Sequence, residues 1–212
     1  FQLRTHMLSH GFSPRRWLKV LLLAVTASTA TAEGPVPVAR SSRQRSDFLE
    51  RFARAYFPGR TGQILVVPRQ GHIITTRDPS VKYMHGSPWA YDTRIPFLIY
   101  GPAFVRSGTY PGPVTHEDMA PTLAALLDVP MPGTSTGRPL RAIFKPGTGR
   151  PRLIVLAVLD GMRTDYFDRH ASVLPTLTRL RRQGAWFSNA EVTHLASITS
   201  VGHATIATGA PP

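Results

Sequence analysis

Cysteine is absent from this sequence of 212 residues. Disulfides, thiolate metal sites and a cysteine nucleophile are therefore excluded, and any metal must be held by histidine and carboxylates. Acid is scarce: Asp and Glu number 12 against 25 Lys and Arg, for a net charge of +13. Such an excess attracts phosphate groups. The positive charge is almost all arginine, scattered rather than gathered in one run, and it lacks the interleaved aromatics of a base-stacking platform. It fits a general affinity for anionic substrates better than a specific nucleic-acid partner. Long apolar runs are also missing, since no stretch reaches the ~20 residues of a membrane-spanning helix. No internal repeat is evident. Proline (20) and glycine (17) are plentiful and often clustered, which implies irregular connections between short elements. With 42% hydrophobic residues the chain can still bury a core, and its length suits one medium domain on a prior of ~150 residues.

From Met7 the sequence has the layout of a secretory signal peptide over residues 7–32. Arg15, Arg16 and Lys19 form the positive start, Leu18 to Val25 is mostly apolar, and Ala30-Thr31-Ala32 is a small-residue cleavage site before Glu33. The apolar run is too short for a stable membrane span, so a secreted or periplasmic location is expected. Residues 33–45, rich in Pro, Arg, Ser and Gln, read as a linker.

The rest divides into segments 46–144 and 153–212, separated by a Pro/Gly-rich linker at 145–152. Ser46 is placed to cap a helix running to Tyr56, with Phe48, Leu49, Phe52 and Tyr56 on one stripe and Pro58-Gly59 as its stop. Gln63 to Val67 reads as a buried strand, with His72 to Thr75 as its partner across a turn. Pro96 to Tyr100 is a strand ended by Gly101-Pro102, and His116 to Leu127 a helix with Met119, Leu123, Leu126 and Leu127 facing a sheet. Leu153 to Leu159 is wholly apolar, as in a parallel strand covered on both faces. A helix over Leu174–Gln183, a strand over Ala185–Val192 and a helix over Val201–Thr208 follow. This alternation predicts an α/β fold, part of a mostly parallel sheet flanked by helices.

Three places could carry chemistry. Asp160 follows the apolar strand and precedes Gly161, where α/β sheets bind ligands, although a helix cap or loop acid has the same appearance. The loop from Thr193 to His203 leads into a helix whose first amides and dipole favour a phosphoryl oxyanion; Ser197, Thr199 and Ser200 compete there as nucleophile, or serve as plain caps. His85, in His85-Gly86-Ser87-Pro88-Trp89-Ala90-Tyr91-Asp92, is a possible metal ligand or a solvated loop histidine.

Together these segments resemble the alkaline phosphatase superfamily, in the branch of type I phosphodiesterase/nucleotide pyrophosphatase and single-threonine alkaline phosphatases. Leu153 to Ala210 resembles the family's N-terminal part, through LIVLAVLDGMRTDYFDR, LPTLTRLRRQGAWFSNAEV and TSVGHATIATGAPP. Phe48 to about Leu140 resembles its C-terminal part, through YFPGRTGQILVV, HGSPWAYDTRIPFLIYGP and DMAPTLAALLDVP. The resemblance implies a hydrolase of small-molecule phosphate esters with two zinc ions. It implies Thr199 as nucleophile and metal-bound hydroxyl, Asp160 as ligand of the metal that activates it, and His85 as ligand of the metal facing the leaving group. Attack by Thr199 on phosphorus would give a phosphothreonine, hydrolysed by zinc-bound hydroxide. Ser197 and Ser200 become bystanders and His203 a structural residue. Arg163 is near enough to Asp160 to suggest a phosphate contact, though a surface role fits it better.

The family pattern is present in swapped segment order, and its middle is missing. That middle supplies an Asp-x-x-x-His pair and an Asp-His pair, neither of which occurs here. Each zinc keeps one side-chain ligand where a catalytic zinc takes three. The chain is therefore expected to be a fragment or permuted piece, inactive alone. Circular permutation, fusion of a truncated copy to the start of a second one, and sequence assembly each account for the order. The alternatives to a hydrolase are a non-catalytic remnant without a working metal site and a basic protein binding nucleic acid or an anionic surface.

Overall fold

A computed structural model describes residues 20–25, 42–74, 80 and 83–212. The flanks of the expected signal peptide (7–19 and 26–32), residues 33–41 of the linker and Thr75 lie outside the described residues. In chain order the elements are β1 (Val20–Val25), α1 (Ser42–Arg54), α2 (Ala90–Thr93), β2 (Phe97–Tyr100), β3 (Gly108–Tyr110), β4 (Val114–Thr115), α3 (Met119–Leu127), β5 (Leu153–Val158), α4 (Tyr166–Arg169), α5 (Pro175–Gln183), β6 (Ala185–Phe187), β7 (Ala190–Glu191) and α6 (Thr199–Thr208).

The main sheet has the order β3-β6-β2-β1-β5. β3 runs parallel to β6 and β1 parallel to β5, while β2 is antiparallel to both β1 and β6. All strands but β2 therefore point one way, giving the mostly parallel α/β sheet expected. A second, two-stranded sheet pairs β4 with β7 in parallel.

Period-two alternation gives the main sheet two apolar faces. Phe97 and Ile99 enter one core cluster with Met119 and Leu126 of α3 and Ile206 of α6. Leu98, between them in sequence, enters the other with Phe167 of α4, Leu180 of α5 and Trp186 of β6. Helices thus cover both faces. Gly184, after α5, lets the chain turn tightly into β6: an added Cβ would lie 2.7 Å from the Ile99 carbonyl oxygen and 2.9 Å from that of Leu180. Asp128 ends α3 in the left-handed region (φ 55°), and Gly209 does the same for α6 (φ 70°).

Several local expectations are corrected. Residues 63–67 and 72–74 form no strand, and Ile64, Leu65 and Val66 are exposed at 84, 45 and 71%. An apolar run becomes a strand only where a neighbour supplies the ladder and the cover, and among the described residues none does so here. β5 is an edge strand instead of one covered on both faces, leaving Leu153, Val155 and Leu156 partly exposed at 42, 37 and 40%. Ala185–Val192 is broken at Ser188-Asn189 into β6 and β7. Helix α1 begins at Ser42, so Ser46 lies inside it; Phe48 is buried, while Leu49 and Tyr56 are exposed. Helix α6 begins two residues before its expected start, making Thr199 its first residue. Apart from these corrections, Val20–Val25, inside residues 7–32, forms a strand of the main sheet.

Candidate active site

Asp160 stands two residues beyond β5, and Gly161 (φ 73°) turns the chain away behind it. A glycine suits this left-handed position because it carries no Cβ. Thr199 reaches the same point from the other side of the molecule, at the N-terminus of α6. Its Oγ1 donates to Asp160 Oδ2 at 2.7 Å. The first-turn amides and the positive end of the α6 dipole are directed at this corner.

His85 completes the cluster. Its Nδ1 lies 2.8 Å from the Ser197 carbonyl oxygen, which only accepts, so Nδ1 carries a proton and donates it there. Nε2 is 3.9 Å from Asp160 Oδ1. The His85 loop is held by Asp92, which accepts from the Ser87 amide at 2.9 Å and from the Ser87 hydroxyl. Asp92 is 2% exposed and its carboxyl is raised above the usual range, by burial first, against the opposing pull of the Ser87 hydrogen bonds. Gly86 keeps φ at 103° beside the side chain of Ile198. Sequence reading noted this stretch for His85 alone; the Ser87–Asp92 clasp is a contact five residues apart that the acid in the motif could have suggested.

The three competing hydroxyls are now distinct. Ser197 is buried, its carbonyl serving His85, and Ser200 is exposed without the Asp160 contact that Thr199 makes. His203 Nδ1 donates to the Thr199 carbonyl oxygen at 2.7 Å, one helical turn back. Arg163 is engaged elsewhere: it forms a two-pronged pair with Asp165 at 2.9 and 2.8 Å and lies over the Tyr91 ring. A small cleft lined by Asp160, Ser197, Thr199, Gly202, His203 and His116 opens at the site.

Behind the cleft is a buried pair the sequence did not reveal. His116 Nε2 and His194 Nε2 are 2.9 Å apart, and Thr205 Oγ1 of α6 lies 3.2 Å from the latter nitrogen. Burial pushes the His116 imidazole down to about 3, with His194 adding to it, and lowers His194 to about 4. Both rings are thus neutral at pH 7, one Nε2 donating to the other. Next to them Glu117 accepts from Arg54 at 2.6 Å, from Thr136 at 2.8 Å and from Thr193. Burial by itself would raise the Glu117 carboxyl; these hydrogen bonds outweigh it and hold the carboxyl below its ordinary value.

Residues 153–212 match the type I phosphodiesterase / nucleotide pyrophosphatase family. The chain is 32% identical over 103 residues to the alkaline phosphatase PhoD of Zymomonas mobilis, covering 49% of this chain and 18% of that protein. It is 40% identical over 53 residues to a Caenorhabditis elegans chain described as an extracellular sulfatase Sulf-1 homolog, covering 25% of this chain and 8% of that one. The chain thus spans less than a fifth of either relative's length. No solved structure matches it.

The two-zinc centre implied by the resemblance requires side chains gathered closely enough to share an ion. Among the described residues no group of three or more His, Asp or Glu side chains is gathered in the way an ion requires. Asp160 offers one carboxylate and His85 one imidazole, with the Thr199 hydroxyl bonded to Asp160. Three protein ligands per catalytic zinc is the usual need. These residues do not fit a two-zinc centre.

Proposed function

We propose that this chain carries the nucleophile corner of a phosphoric ester hydrolase, with Thr199 as the attacking group. The observation that carries this reading is the Thr199–Asp160 hydrogen bond at the head of α6. Asp160 orients the hydroxyl and accepts its proton as the Thr199 oxygen closes on phosphorus; the Oγ–P bond forms as the ester P–O bond breaks, the leaving oxygen takes a proton from solvent, and water then hydrolyses the phosphothreonine to phosphate as Asp160 returns the proton to Thr199. The α6 amides face the phosphoryl oxygens. His85 stands on the side where the leaving group departs in this proposal. No step of this account passes through a metal.

The substrate class is a small-molecule phosphate ester. Without cysteine, a cysteine-derived sulfatase nucleophile is excluded, whatever the resemblance of one relative. Arg51, Arg54, Arg163, Arg169 and Arg181 are paired with carboxylates, which draws positive charge away from a continuous nucleic-acid surface. Residues 7–32 direct export in this proposal. Export of the chain supports that, and cytoplasmic retention opposes it. Among the described residues no helix is long and apolar enough to cross a membrane.

The ligand deficit leads to a second part of the proposal: the chain by itself has little or no turnover. A polypeptide joining it to segments with an Asp-x-x-x-His and an Asp-His pair hydrolyses p-nitrophenyl phosphate, and Thr199→Ala abolishes that activity. Zinc loading of such a polypeptide with hydrolysis indifferent to Thr199→Ala overturns the assignment. A polypeptide that stays inactive and metal-free favours the non-catalytic remnant.

A further inference from the structure

Val20–Val25 is the apolar core of the segment read as a signal peptide, yet it occupies the sheet between β2 and β5. We propose that this segment is a structural strand that holds the Asp160-bearing strand β5 in place, so that the uncleaved chain is the form in which Asp160 faces Thr199. The strand assignment stands on backbone pairing. Only its consequence for the site rests on the functional reading above.

Pairing makes β1 a bridge. On one side it is registered with β5 in parallel through six pairs, from Val20↔Leu153 to Val25↔Val158. On the other it is antiparallel to β2 through four pairs, from Leu22↔Tyr100 to Val25↔Phe97. β5 is an edge strand, and its neighbour in the sheet of described residues is β1. Neighbouring strands lie ~4.8 Å apart, so β2 and β5 stand about two such spacings from each other. Without β1, the amides and carbonyls that β5 directs at it lose their partners, and an already half-exposed apolar strand loses its flank.

The site residues sit on opposite sides of this bridge. Asp160 follows β5, whereas His85 precedes β2 and Thr199 follows β6 and β7. The 2.7 Å contact of Asp160 with Thr199 and its 3.9 Å approach to His85 thus span the strand. Cleavage after Ala32 would remove it. Leader and strand are exclusive roles for these six residues in any one molecule.

A cysteine-free chain allows a direct test on the full protein. Ala24 and Ala157 are register partners, and parallel neighbours lie within the Cα separation a disulfide accepts. The double variant Ala24→Cys/Ala157→Cys should close an intramolecular disulfide in most molecules under mild oxidation, read by mass after digestion. Ala24→Cys/Leu153→Cys is four residues out of register, a displacement of ~13 Å, and should close little. Equal yields for the two pairs, or a predominantly intermolecular product, overturn the proposal. Hydrogen exchange on the unmodified chain provides a second reading that does not depend on the variants folding. Slow exchange of residues 20–25 together with 97–100 and 153–158 is expected; exchange of 20–25 at the rate of a free peptide overturns it.

Discussion

Asp160 Oδ2 and Thr199 Oγ1 are 2.7 Å apart, although the two residues are separated by 39 positions and are carried by different elements. The contact lies at the surface, with the Asp160 side chain 46% exposed. Its worth to the fold is therefore small, ~0.5–1 kcal/mol at most. Thr199→Ala should leave the urea midpoint nearly unchanged while removing the attacking group from any active assembly, where loss of a nucleophile costs on the order of 10⁴-fold or more in kcat. A variant that loses activity and unfolds together would point to a structural role instead.

The buried imidazoles make stability depend on pH. Their folded values, about 3 for His116 and about 4 for His194, lie below the ordinary 6.5. Between those limits the unfolded chain binds more protons than the folded one, so stability is complete above about 6.5 and falls as the pH drops toward 4. Each histidine contributes a slope of up to ~1.4 kcal/mol per pH unit there. Urea unfolding at pH 7.5, 6 and 5 should show the midpoint falling. His194→Gln should flatten that slope even though it lowers stability at pH 7.5; an unchanged slope contradicts the assignment.

Gly209 fixes the end of α6 to the loop before Arg138. Its carbonyl oxygen accepts from the amides of Thr136 and Gly137, and its φ of 70° is left-handed. An added Cβ would come 2.3 Å from Ser135 Oγ and 3.1 Å from the Glu117 carbonyl oxygen. Gly209→Ala should cost ~2 kcal/mol or more through strain and displacement of the loop. Gly112→Ala, where a Cβ meets nothing within 4 Å, is the matched control and should change stability by less than ~0.5 kcal/mol. Equal effects would remove Gly209 from this role.

What could be read in the sequence follows the range of the forces involved. β2, α3 and α5 with its Gly184 stop are written in local apolar spacing and turn residues, and they stand where expected to within a few residues. Asp160, Thr199 and His85 were singled out by motifs whose loop geometry is local, and only the fold brings the three side chains together. The 63–67 run looked like a strand because apolar composition cannot show whether a partner strand exists. The His116–His194 pair, 78 residues apart, carries no local mark at all. Val20–Val25 has the composition of both a leader core and a buried strand, and spacing cannot separate the two.

The nucleophile corner proposed for this chain has too few metal ligands to work alone. Zinc content by elemental analysis after equilibration with the ion, together with hydrolysis of p-nitrophenyl phosphate by the same sample and by Thr199→Ala, tests it most directly. The account predicts well under one zinc per chain and no hydrolysis that depends on Thr199. Two zinc ions per chain with turnover abolished by Thr199→Ala would contradict it.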